Sequence, residues 1–178
     1  GVGTTGQPAF QMMTDNVTSG GSTYVGKLSV YSGEVSLGPE HQICELLGLT
    51  VGERAAESDA VVHIGTNCRD IDPSNSPLLT VDVNGGMVYA DNSLITVSQY
   101  GGVIEHRGDA ITTLNLWGGT SRLNNPTGTS GGKVIAKLNL RGGTLDNSEN
   151  PTQKTITNAD LYSGSIDDPL GKLTWTNA

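Results

Sequence analysis

The densest group of reactive side chains in the sequence is Glu105, His106, Arg107 and Asp109, in VIEHRGD. A histidine beside carboxylates titrates near neutrality and could act as a general base. Consecutive residues on a strand face opposite ways, so the run reads more simply as a solvated corner. The tripeptide Arg107-Gly108-Asp109 matches the integrin-binding motif, but three residues recur by chance. Asp146, Glu149, Asp167 and Asp168 could hold a surface cation, although their spacing follows no calcium-binding repeat. Cys44 and Cys68 form no CxxC, and His41, His63 and His106 are scattered, so no metal site is expected. Two separate thiols are the simpler reading of the cysteines, with a disulfide as the alternative. The phosphate-binding glycine loop and HExxH are both missing. These residues imply neither a cofactor nor an enzyme.

The elements that would position such residues are set by composition. Glycine supplies 25 of 178 residues, while charged residues make up 16% and aromatics 4%. Gly, Asn, Ser and Thr in place of Leu, Ala, Glu and Lys favour turns and extended chain over helix. The net charge of −8 disfavours a nucleic-acid groove and an anionic lipid surface, both of which need clustered Lys and Arg. No apolar run approaches the roughly 18–20 residues of a membrane span, and Gly1 to Gln11 lacks the basic and apolar segments of a leader.

An internal repeat organises the rest. VDVNGGMVYADN, VSQYGGVIEHRGD, LNLWGGTSRLN and LNLRGGTLDN share a Gly-Gly pair, and LSVYSGEVSL and ADLYSGSIDD carry Ser-Gly instead. Their second glycines are Gly33, Gly86, Gly102, Gly119, Gly143 and Gly164. Eight places earlier stand Val25, Leu78, Leu94, Ile111, Ile135 and Ile156. Five earlier are Leu28, Val81, Val97, Leu114, Leu138 and Ala159; three earlier, Val30, Val83, Gln99, Leu116, Leu140 and Leu161. Two later are Val35, Val88, Ile104, Ser121, Leu145 and Ile166. Of these 24 positions 22 are apolar, in a chain only 35% apolar. The five-to-three step has the alternation of a half-buried strand, and the eight-to-five step implies a bend or bulge. The glycine supplies a positive φ for the next corner. From Leu78 the units run 16, 17, 24, 21 and 17 residues, to Leu94, Ile111, Ile135, Ile156 and Leu173.

A strand, a corner, a second strand and a return to the same column describe one rung of a parallel β-solenoid. The expected fold is therefore all-β, a β-helix with short rungs of about 16–24 residues over 22–178. Residues 36–77 read as an insertion, with a short helix in PEHQICELLG (Pro39 to Gly48) and a strand in VVHIG. Residues 1–21 read as an extended N-terminal arm whose Phe10, Met12 and Met13 are its large apolar anchors for a partner.

Two outward columns follow. Two places before the reference glycine are Tyr31, Asn84, Tyr100, Trp117, Arg141 and Tyr162, which hold four of the chain's eight aromatics. They read either as a platform for sugar rings or a partner protein, or as a ladder bracing adjacent strands. Four before the glycine are Ser29, Asp82, Ser98, Asn115, Asn139 and Asp160. A glycosidase needs two carboxyls about 5–10 Å apart. Asp82 and Asp160 are four rungs apart, roughly 19 Å at strand spacing, and cannot cooperate.

LNLWGGT, LNLRGGTLDN and TITNADLYSGSIDD resemble the repetitive β-helical structural proteins of tailed bacteriophages, including those that decorate the capsid. The similarity covers residues 78–178, and 22–36 less well. It implies a non-enzymatic virion protein on the capsid exterior, a decoration or cement protein that binds and stabilises the major capsid protein. It also implies a homotrimer, without nucleic acid or membrane as partner. Tyr31, Tyr100, Trp117, Arg141 and Tyr162, with Phe10, Met12 and Met13, are the expected contacts. The alternative from the same fold is a carbohydrate-binding or polysaccharide-cleaving tailspike module.

Overall fold

The computed structural model describes residues 11–13, 17–19, 22–38, 44–54, 57–70, 78–108, 110–124, 133–150 and 153–177, with side chains from residue 27 onward except 69, 70, 78, 79, 133 and 134. Two short strands, β1 (Gln11–Met13) and β2 (Val17–Ser19), pair antiparallel with β3 (Ser22–Val30). Every other pairing among the described strands is parallel. One stack runs β3, β5 (Cys44–Val51), β8 (Leu78–Val83), β10 (Leu94–Gln99) and β12 (Ile111–Leu116). A second runs β4 (Glu34–Leu37), β6 (Val61–Ile64), β9 (Met87–Ala90), β11 (Val103–His106) and β13 (Thr120–Leu123). The 14-residue strands β14 (Lys133–Asp146) and β15 (Lys154–Asp167) lie across both stacks. β7 (Cys68–Asp70) pairs with the start of β5, and β16 (Leu173–Asn177) with the start of β15. The fold is all-β and mostly parallel, one sixteen-stranded sheet with no helix among the described residues.

The registers reproduce the sequence columns. Leu28, Leu49, Val81, Val97, Leu114, Leu138 and Ala159 are successive partners, and Val30, Val51, Val83, Gln99, Leu116, Leu140 and Leu161 run beside them. In the second stack Val35, Val62, Val88, Ile104, Ser121, Leu145 and Ile166 do the same. Most of these side chains are buried and form one continuous apolar core. The eight-to-five step lies inside continuous strands: β10 is buried at Leu94, Val97 and Gln99. Gln99 enters the core with its Nε2 donating to the Thr120 carbonyl at 2.9 Å, while its Oε1 has no hydrogen-bond partner among the described residues.

All six reference glycines have positive φ, from 65° at Gly102 to 103° at Gly164. At Gly119 (φ 76°) a Cβ would also strike the carbonyl oxygen of Gly102 one strand away, so both dihedral and space require glycine.

Two expectations are corrected. The helix expected over Pro39 to Gly48 is not formed: Cys44 to Gly48 belong to strand β5, and 39–43 lie outside the described residues. Leu46, Leu49 and Val51 keep the three-then-two spacing of the apolar columns, and its first step equals the i, i+3 step of a helix face. Nor do residues 36–77 merely interrupt the repeat. β5 and β6 form a further unit in register with β3 and β4, disguised by the extra residues between Gly52 and Val61. DPSNSP (Asp72 to Pro77), whose composition reads as a loop, lies outside the described residues.

The expected stacking of Leu116, Leu140 and Leu161 is present in the register, but Leu161 is 52% exposed. β16 pairs only with Lys154 to Asn158, so β15 beyond that point has no described strand above it.

Candidate functional site: an aromatic and guanidinium ridge

The corner after each first-stack strand puts the next residue outside, because its predecessor is held in the core. Successive backbone bonds, Gly52 N–H to Val30 O, Asn84 to Val51, Tyr100 to Val83 and Trp117 to Gln99, set these residues one above another. The Tyr100 and Trp117 rings stack with centroids 4.6 Å apart and planes within 5°. That separation is close to the strand spacing itself, so the ladder of hydrogen bonds enforces the stack. Below it, the Arg54 guanidinium lies 3.7 Å from the Tyr100 centroid and donates to Asn84 Oδ1 at 3.2 Å. Farther along, Arg141 lies 4.6 Å from the Tyr162 centroid. Tyr31 begins the column, and its carbonyl accepts from the Ser58 hydroxyl at 2.9 Å.

This geometry bears on what the ridge can bind. Trp117 and Arg54 cover the two faces of Tyr100, and one face each of Trp117 and Tyr162 is also taken. A sugar ring stacks on an open aromatic face, so Tyr100 is no sugar platform. The ridge presents ring edges, guanidinium groups and the remaining faces of Trp117 and Tyr162, which are 39% and 67% exposed. Arg54 is the member that sequence reasoning missed, because it lies in the corner that broke the repeat's phase.

Of the arm residues expected to bind a partner, Phe10 lies outside the described residues. Met12 and Met13 lie in β1, opposite Leu28 and Lys27 of β3, and their side chains lie outside the described set. This part of the arm is therefore held by its own chain.

The Glu105–His106–Arg107 run is not a solvated corner. His106 falls in a further inward column, with Leu37, Ile64, Ala90 and Leu123, and is 2% exposed. Burial, with the nearby positive charge of Lys154, lowers its pKa to about 4 against a hydrogen bond to the Asn92 backbone. It is neutral at pH 7, contrary to a base poised near neutrality. Glu105 is 8% exposed and accepts from Arg107 Nε at 2.7 Å and Asn124 Nδ2 at 3.2 Å. Arg122 lies between Glu105 (4.0 Å) and Asp146 (3.0 Å). Arg107 also lies over the Tyr89 ring, which stacks on His63, which in turn bonds Glu34 at 3.0 Å. The second stack thus has its own outer ladder, and Arg107 of the RGD tripeptide is engaged in it; Asp109 lies outside the described residues.

Of the acidic residues considered for a cation, Asp146 and Asp168 are occupied internally, whereas Glu149 and Asp167 are exposed. Burial would raise the Asp146 carboxyl, but bonds from Ser148 and the Arg122 guanidinium hold it below the usual range. Asp168 is likewise held down against burial by the Leu173 and Lys172 N–H groups and Asn147. Asp82 and Asp160 are linked through Ser98, Asn115 and Asn139, four register steps or roughly 19 Å.

No protein-family model, no curated protein and no solved structure matches this chain.

Proposed function

We propose that the chain is a parallel β-solenoid that acts by binding rather than catalysis, and that it is a structural protein of a tailed-phage virion. In this reading it decorates the capsid exterior, docking on the major capsid protein and linking shell subunits, as a homotrimer. The phage assignment, the trimer and the capsid location rest on the sequence resemblance alone. The observation that carries a binding role is the ridge of Arg54, Tyr100, Trp117, Arg141 and Tyr162. Tyr, Trp and Arg on a rigid strand-built face combine large contact area with little entropy to lose. The arm would add a second contact through Phe10, Met12 and Met13.

Against the tailspike alternative stand the covered faces of Tyr100 and the separation of Asp82 from Asp160. The test is co-sedimentation of the full chain with purified capsids that lack it, alongside an assay for cleavage of capsular and pectic polysaccharides. Saturable retention on capsids without cleavage is expected. Cleavage, or no retention on any capsid, would overturn the proposal.

A further inference from the structure

Cys44 and Cys68 are 24 positions apart in sequence and register partners in space, at the first pair of the β5–β7 ladder. Neighbouring strands place such partners' Cα atoms roughly 4.8 Å apart, inside the window of about 4.4–6.8 Å that a disulfide spans. In a parallel pair the two side chains leave the same face of the sheet. Both are free thiols in this structure. The backbone around them leaves little slack: Cys44 N–H donates to the Asn67 carbonyl at 3.2 Å, and Cys68 N–H to the Gly65 carbonyl at 3.0 Å. Gly38, at φ 59°, packs so closely on the Cys68 backbone that a Cβ there would collide with its nitrogen.

We propose that Cys44 and Cys68 form a reversible intramolecular disulfide, a redox staple closing the chain between β5 and β7. The roles divide by environment. Cys44 is half-buried and reachable, whereas Cys68 is fully buried in the core. The Cys68 thiol donates to Cys44 and, with the Gly38 N–H, favours the Cys44 thiolate. The same hydrogen bond, with burial, raises the Cys68 thiol.

With a small-molecule disulfide such as oxidised glutathione as oxidant, the Cys44 thiolate attacks one of its sulfurs. The glutathione S–S bond breaks, a Cys44–glutathione bond forms, and one glutathione thiolate leaves and takes up a proton. Cys44 then no longer holds the Cys68 proton. Cys68 gives that proton to solvent, and its thiolate attacks Cys44 Sγ and expels the second glutathione. Two protein thiols are oxidised, one glutathione disulfide is reduced to two thiols, and the balance closes. A bond between adjacent strands has short reach and belongs to the more readily reduced class.

The experiment uses the full chain, reduced and then exposed to oxidised glutathione at mildly alkaline pH. Remaining thiols are alkylated under denaturing conditions, and intact mass and linked peptides are read by mass spectrometry. The expected product is a monomeric chain lighter by two hydrogens, with no alkylated cysteine and a Cys44–Cys68 linked peptide. Its yield should be unchanged on dilution and lost with dithiothreitol. Cys68→Ser should stop with glutathione on Cys44, and Cys44→Ser should leave Cys68 unmodified while folded. The proposal fails if folded wild-type chain retains glutathione on Cys44 with Cys68 alkylatable, or if it links only between chains. It also fails if both thiols stay free while urea-unfolded chain closes the bond.

Discussion

His106 shows what a single residue's surroundings do to its chemistry. Its native pKa, about 4, lies below the ordinary 6.5, so the unfolded chain binds the extra proton first as pH falls. Stability from this group is complete above about pH 6.5 and is lost progressively towards pH 4. The size is on the order of 3 kcal/mol. Urea titrations at pH 7 and pH 4.5 should show the loss, and His106→Leu, matching Leu37 and Leu123 in its column, should flatten it. An unchanged pH dependence in the variant would remove His106 as its source. On the ridge, Arg54→Ala removes a guanidinium from the face of Tyr100, a contact worth about 0.5–1 kcal/mol at an exposed site. Chemical denaturation should register a loss of that size and no more.

At the scale of elements, in-register stacking makes burial, not residue type, decide the cost of a substitution. Leu140 is 3% exposed with neighbours on both sides, whereas Leu161, its register partner, is half exposed beneath an edge with no described strand above it. Leu140→Asp should cost at least about 3 kcal/mol, but Leu161→Asp under about 1 kcal/mol, both read from urea midpoints. Equal costs would contradict the register or the open end. Gly119→Ala should destabilise by more than about 1 kcal/mol, because φ is positive and Gly102 blocks the Cβ. The repeat made these elements legible: four apolar columns and a glycine in constant phase carried both register and corner geometry. Where phase was lost, reading failed. Over Pro39 to Gly48 the three- and four-residue steps from Ile43 to Leu46 and Leu47 read as a helix face, although a three-residue step also separates apolar columns in these strands. The unit formed by β5 and β6 went unseen because its corner carries extra residues and no Gly-Gly pair.

For the whole molecule, the outward face is where sequence and structure complement each other. The aromatic column could be read from spacing, but ring orientation could not, and orientation is what turns Tyr100 from an open platform into the middle of a stack. Arg54 joins it from a segment that looked unrelated, and the Glu34–His63–Tyr89–Arg107 ladder on the other stack arises from residues with no common sequence phase. Deleting residues 1–10 keeps β1 on β3 and removes Phe10, so it separates the arm's contribution to binding from its contribution to the fold. Retention on capsids should weaken while the urea midpoint stays unchanged.

The ridge itself is tested by the double variant Tyr100→Ala/Trp117→Ala. Both side chains lie outside the apolar core, so far-ultraviolet circular dichroism and the unfolding midpoint serve as a check that the fold is kept. The measurement is the dissociation constant for purified capsids, beside wild type at the same ionic strength. If the ridge is the docking surface, two truncated hot-spot aromatics weaken binding by at least about 2 kcal/mol, some thirtyfold. A folded double variant that binds capsids as tightly as wild type would reduce the ridge to a strand-bracing ladder and contradict its role in attachment.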